Sequence, residues 1–222
     1  MQISKRERSP LWSDLVFFLV LVTISYFKPV PFPWKVPLIA ILIIIYMFYH
    51  YGNLDQLGIG KLQWKNTLFW GVVIALTIVV GISNIFNPIV ERLLDREVDV
   101  SAYGDLEGNT EFFRNYWWKA MISAAIAEEI FYRGFTFYFL ERVFKNFPYQ
   151  KVLVVLITAV YFGISHSFQG IAGVLGIMLA ATVFGGGYYL SRKNLYALIL
   201  AHALVDSWSL FSLYKGGISL FF

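Results

Sequence analysis

The sequence predicts an all-α fold, a polytopic membrane helical bundle of about seven transmembrane spans that forms one integral membrane domain over residues 1–222. Two observations carry that prediction. Of 222 residues, 58% are hydrophobic, 19% aromatic and only 14% charged, with a mean hydropathy of +0.63. One soluble core of this size cannot hide so much apolar surface. The apolar residues also fall in runs of about 17–25, the length that crosses the hydrocarbon layer as a helix.

The seven runs are 11–27, 36–52, 67–86, 116–140, 150–166, 171–190 and 194–213. The first follows the basic stretch KRER, lacks a small-x-small cleavage site and leads directly to the second, so it is expected to be a retained anchor. Between those two, the prolines of KPVPFPWKVP forbid a continuous helix and predict a tight reversal. The connection 87–115 holds seven acids against three arginines and is expected to be a solvated outer loop; its segment IVERLLDREV could form a short surface helix. In the sixth run Ala172, Gly176 and Ala180 make a small-xxx-small stripe suited to ordinary close helix packing. The triplet Gly185–Gly187 is expected to loosen or kink the end of that run.

Lysine and arginine set the orientation. With the N-terminus cytoplasmic, ten of them (Lys5, Arg6, Arg8, Lys61, Lys65, Arg142, Lys145, Lys151, Arg192, Lys193) lie on the inner side and six (Lys28, Lys35, Arg92, Arg96, Arg114, Lys215) on the outer. The net charge of +4 therefore reflects topology, and the expected partner is the lipid bilayer, with no nucleic acid. No cysteine is present, which excludes disulfides and a thiol nucleophile.

Against this apolar background, AIAEEIFYRGF (126–136) places Glu128, Glu129 and Arg133 within a span. Each such group costs at least about 2.5–3.5 kcal/mol at a helix centre, so it marks a functional site by default. On a helix Glu129 and Arg133 are four apart and can pair, while Glu128 is rotated away by about 100°. Freed from that pair, Glu128 is a candidate general base. Phe162 and His166 share a face of the fifth run, where the ring can wall the imidazole from lipid. His202 and Asp206 share a face of the seventh. Singly, each pattern has a structural reading as a buried ion pair or a packing histidine. Together they supply two imidazoles, several carboxylates and a guanidinium in three spans, and at about 1.5 Å per residue all could meet near mid-bilayer.

Glu128-Glu129-x-x-x-Arg133, Phe162-x-x-x-His166 and His202-x-x-x-Asp206, in this order on successive spans, resemble the signature of the CPBP intramembrane proteases. That family takes in the CAAX prenyl endopeptidases and the bacterial Abi proteins, and the similarity covers 116–213. The resemblance implies peptide-bond hydrolysis within a membrane, for a bacterial member the cell membrane, and hence a peptide or membrane-protein substrate as partner. It implies that Glu128 and His166 activate water, that His202 and residue 206 stabilise the oxyanion, and that Glu129, Arg133 and Phe162 support them. The prenyl endopeptidases have Asn at the last position; many bacterial members have Asp, as here, and an ionised Asp206 cannot donate to an oxyanion. The cofactor is left open between none and a single divalent, zinc-like ion, for which Glu128, His166 and His202 are the ligand set. The chain has no His-Glu-x-x-His zinc helix. The rival readings are a non-catalytic immunity or scaffold protein and an ion-coupled transporter.

Overall fold

The computed structural model describes residues 9–26 and 30–216. Lys5, Arg6, Arg8 and Lys28, part of the orientation argument, lie outside the described residues, as does the last residue of the first predicted run. Among the described residues the chain forms seven long helices and no strand. These are α1 (Leu11–Tyr26), α2 (Lys35–Tyr51), α3 (Trp64–Leu94), α4 (residues 110–143), α5 (Gln150–Ser165), α6 (Gly170–Leu190) and α7 (Leu195–Tyr214). Three helical stretches, Trp64–Leu94, Ser167–Leu190 and Leu195–Tyr214, are long and apolar enough to cross a membrane, and α1, α2 and α5 are shorter apolar helices.

The order of elements follows from local chemistry. Gly52, at φ 72°, ends α2 and donates its N–H to the Phe48 carbonyl, and Asn109 caps α4 by accepting the Phe112 N–H at 3.0 Å. The described part of the proline-rich connection does reverse the chain, with Trp34 N–H donated to the Pro31 carbonyl. Gly58 sits at φ 81°, where a Cβ would lie 2.3 Å from the Lys193 carbonyl oxygen. Its own carbonyl accepts the Leu195 N–H, so a glycine docks the α2–α3 loop on the start of α7.

Helix α4 is the axis of the bundle. Every residue from Glu129 to Leu140 is buried, the pattern of a helix surrounded on all sides. It packs on α1, α2, α5 and α7, and its Phe137 ring meets Tyr188 and Tyr189 of α6. Large apolar side chains on the outer helices, such as Leu15, Leu19, Ile41, Ile45, Phe69 and Val72, are exposed. A bundle that keeps its charges on the axis and its aliphatic side chains outward is suited to a lipid surround. At the end of α4 away from Asn109, Arg142 binds the fully buried Asp14, Ser9 and Tyr138 and so ties α1 to the axis.

Three expectations are corrected. The segment IVERLLDREV is not a separate surface helix, because α3 runs unbroken to Leu94. The rest of the 87–115 connection is not merely a solvated loop. Residues 101–106 form a short 3-10 turn whose Leu106 is fully buried. Nor do Gly185–Gly187 loosen the end of α6, which remains helical to Leu190. They allow close approach instead, since a Cβ at Gly185 would lie 3.0 Å from Val155 and one at Gly187 2.4 Å from Ile74.

One feature of the backbone had no sequence signal. Residues Thr77–Phe86 of α3 and Met121–Thr136 of α4 are π-helical, whereas π geometry is usually confined to a single turn, often near functional sites. An α turn of about 3.6 residues overshoots at a spacing of four, and the wider π turn undershoots. A helix that passes from one to the other therefore keeps Tyr116, Ala120, Ala124, Glu128 and Tyr132 on one side, and all five line the same cavity.

Candidate active site

That cavity encloses about 330 Å³ and opens among the C-terminal end of α1, the N-terminal end of α2, the 101–106 turn, α4, the end of α5 and the outer part of α7. Glu128, His166, His202, Asp206 and Phe162 all face it. Residues drawn from three predicted runs thus share one space. Its remaining wall is mainly apolar and rich in aromatic side chains, among them Tyr26, Phe32, Tyr103, Tyr116, Tyr132 and Phe184. An aromatic wall with a few convergent polar groups is the usual make-up of a ligand pocket.

Glu129 lies behind Glu128 with no solvent exposure, and its Oε1 serves two partners. Arg133 Nη1 donates to it at 3.0 Å, the i,i+4 pair expected from the sequence, and His202 Nδ1 lies at 2.7 Å. The second contact was not foreseen. A carboxylate at Nδ1 keeps the proton on that nitrogen and turns Nε2 toward the cavity. Arg133, only 1% exposed, lies 4.6 Å from the Phe162 ring and 4.9 Å from the Phe184 ring. These two faces attract the guanidinium where water cannot. Phe162 thus does more than shield His166: it holds the cation that balances Glu129.

His166 ends α5 rather than lying within it. Its Nδ1 is 2.9 Å from the Phe162 carbonyl, an acceptor, so this nitrogen carries the proton and Nε2 is left with a lone pair. Phe162 also stacks obliquely on the imidazole, with centroids 4.6 Å apart. Ser165 reinforces the turn by donating to the same carbonyl at 2.6 Å, and Tyr132 of the α4 stripe donates to Ser165 at 3.3 Å. The two imidazoles are therefore oriented alike, each with Nδ1 anchored in the protein.

Asp206 Oδ1 lies 3.6 Å from His202 Nε2, a loose ion-pair distance rather than a hydrogen bond. Both nitrogens of His202 consequently face carboxylates, Glu129 at one and Asp206 at the other. Among the described residues no three His, Asp or Glu side chains converge into a group able to hold a metal ion. Glu128, His166 and His202 share the cavity without forming the ligand cluster considered from the sequence.

Several cavity residues had escaped the sequence reading. Tyr103 and Tyr116 reach it from the long connection and the start of α4, and Lys35, Val36 and Ile39 reach it from α2. The four-residue stripe ending at Glu128 and Tyr132 was the signal for Tyr116. Nothing local marked Tyr103 or Lys35.

Residues 112–208 match the protein family described as Rce1-like, type II CAAX prenyl endopeptidase. The resemblance drawn from the three motifs holds over this segment, which contains all seven of the motif residues. No curated protein and no solved structure matches the chain. Over that segment the chain is similar to the CAAX prenyl endopeptidases, and three of its helices are long and apolar enough to cross a membrane.

Proposed function

With residues 112–208 matching the Rce1-like CAAX prenyl endopeptidases, we propose that the protein is an intramembrane endopeptidase in which Glu128 and His166 activate water against a peptide carbonyl. The observation that supports this reading is the shared cavity: two carboxylates and two imidazoles with anchored Nδ1 atoms face a space of about 330 Å³. The substrate is a membrane-associated peptide or protein segment that enters among the aromatic side chains.

Water is held between Glu128 and the His166 Nε2 lone pair, gives one proton to Glu128 and bonds through oxygen to the carbonyl carbon. The carbonyl electrons move onto oxygen. When the tetrahedral intermediate collapses, the C–N bond breaks, Glu128 returns its proton to the leaving amine, and the second water proton passes from the new carboxyl group to His166 Nε2 and on to solvent, so that the acyl fragment leaves as a carboxylate. His202, held by Glu129, faces the developing oxyanion; Arg133 balances Glu129 and keeps that hydrogen bond in place. No step in this scheme requires a metal ion as a participant.

The test uses the full chain in proteoliposomes with two quenched fluorescent peptides ending in a CAAX sequence, one farnesylated and one not. The intact protein cleaves at least one of them, and Glu128→Ala and His166→Ala cleave neither. Cleavage that persists in Glu128→Ala contradicts the assignment of the base. Failure of the intact protein, together with full biological protection by a Glu128→Gln variant, would point to a contact-based immunity role.

A further inference from the structure

Charges inside this bundle are matched to one another. Arg133 meets Glu129, Arg142 meets Asp14, and His202 stands between Glu129 and Asp206. Lys35 breaks the pattern. It is half-buried at the first position of α2 and lines the same cavity as Glu128 and Asp206. Among the described residues, however, no carboxylate lies within ion-pair distance of it. Its ammonium donates to the Ser25 carbonyl at 3.3 Å, a long bond that uses one of its three N–H groups. Helix stability does not account for the placement, because a cation in the first turn opposes the helix dipole and this turn holds no acid to offset it. A lysine at a helix end can snorkel to a lipid surface. This one borders the cavity instead, in a wall shared with Tyr26, Phe32, Val36 and Ile39.

Helices α2 and α4 run side by side in the same sense. Trp34 meets Trp118 with ring centroids 6.5 Å apart at one end, and Tyr51 meets Tyr138 at 5.9 Å at the other. The start of α2 therefore stands near the level of Trp118, and Glu128 lies further along α4. At about 1.5 Å per residue the two levels are on the order of 15 Å apart. The cavity thus has an acidic end at Glu128 and Asp206 and a cationic end at Lys35. An extended peptide advances about 3.3 Å per residue, so one whose carbonyl meets Glu128 reaches Lys35 roughly three to five residues away. The acidic end repels an anion and the lysine attracts it, which fixes the direction in which the peptide lies.

We propose that Lys35 is an anion subsite of this cavity and receives a substrate carboxylate a few residues from the scissile bond. This rests on the endopeptidase reading and adds a specificity-determining residue from outside the three motifs and outside the matched segment 112–208. Two sources present the required chemistry: the free C-terminus of a peptide and an acidic side chain near its end. The contact is remote from the reacting carbonyl and equal in ground and transition states, so it lowers KM and leaves kcat alone.

The experiment compares the intact protein, Lys35→Met and Lys35→Arg in proteoliposomes. It uses the two CAAX peptides above as free acids and as C-terminal amides, with a further amide whose last residue is Glu. For the intact protein, amidation raises KM roughly 10-fold, the lower end of what a hydrogen bond to a charged group contributes. Lys35→Met raises KM for the free acid by a similar factor, and in this variant amidation no longer matters. Lys35→Arg keeps the preference for the acid, which separates lost charge from lost fold. Recovery of KM by the Glu-ended amide identifies the charge itself as what is read; no recovery identifies the chain terminus. Indifference of the intact protein to amidation in both the terminal and the Glu-ended series would overturn the proposal. So would a Lys35→Met variant that keeps the full amide penalty, or one that raises KM equally for acid and amide. If amidation has no effect while Glu128→Ala is inactive, the subsite falls and the endopeptidase reading stands. If the intact protein cleaves nothing, that reading fails by itself, and fluorescence anisotropy of the labelled acid and amide on intact and Lys35→Met protein still decides the subsite.

Discussion

Replacing Glu129 separates its two tasks, the charge balance of Arg133 and the orientation of His202. Glu129→Ala leaves the guanidinium, 1% exposed and 3.0 Å from the missing oxygen, as an uncompensated buried cation. Breaking such a pair from one side costs about 3–5 kcal/mol. Glu129→Leu combined with Arg133→Met removes both charges and keeps apolar volume against Phe162 and Phe184, so most of that stability returns. The 2.7 Å contact with His202 Nδ1 does not return. A hydrogen bond to a charged group contributes about 1.5–3 kcal/mol. Each 1.36 kcal/mol is tenfold in rate, so kcat in the double variant falls roughly 10- to 100-fold although the protein is folded. Melting in detergent micelles reads the first quantity, and proteoliposome cleavage kinetics read the second. A double variant with full kcat would show that Glu129 serves only as a counter-ion and would refute the role assigned to its contact with His202.

Further outcomes follow from the packing and the polar cluster at the opposite end of the bundle. Gly187→Val places new atoms where even a Cβ would be 2.4 Å from Ile74; melting should report a loss of about 1–3 kcal/mol from overpacking. Gly186→Ala, whose Cβ meets nothing within 4 Å, should be neutral or stabilising by up to about 1 kcal/mol through helix propensity. Asp14→Ala strips Arg142 of its buried carboxylate partner and should release α1 from α4, seen as new proteolytic cleavage near α1 with the 101–106 turn unaffected. His166→Gln keeps a donor to the Phe162 carbonyl but loses the Nε2 lone pair, so kcat should fall by about 10²- to 10⁴-fold, the usual worth of an acid-base group, with KM little changed.

What the sequence disclosed, and what it hid, divides along a physical line. Helix positions were legible because apolar runs of membrane-spanning length are interrupted by Pro, Gly and charge; predicted 171–190 and observed Gly170–Leu190 agree almost residue for residue. The motif residues were legible because charge within such runs is expensive, which singled out Glu128, Glu129, Arg133, His166, His202 and Asp206. The i,i+4 pairing of Glu129 and Arg133 needed only helix geometry. The Glu129–His202 contact spans 73 positions in the chain, and no local rule brings those two residues together. The π segment of α4 was invisible for another reason: it changes backbone hydrogen bonding by one residue without altering composition. Tyr103 lay in a stretch whose acids and glycines read as solvated loop, and only the docking of Leu106 turns it inward. Membrane helices announce their polar exceptions, whereas loops that fold back over a site do not.

The central claim is that Glu128 performs peptide-bond hydrolysis in a cavity shared with His166 and His202. Its most direct test compares the membrane proteome and peptidome of cells expressing the intact chain with those of cells expressing Glu128→Ala at equal abundance in the membrane. The account predicts at least one fragment that appears only with the intact protein, paired with depletion of its precursor. Indistinguishable peptidomes, with both proteins folded and inserted, would contradict it.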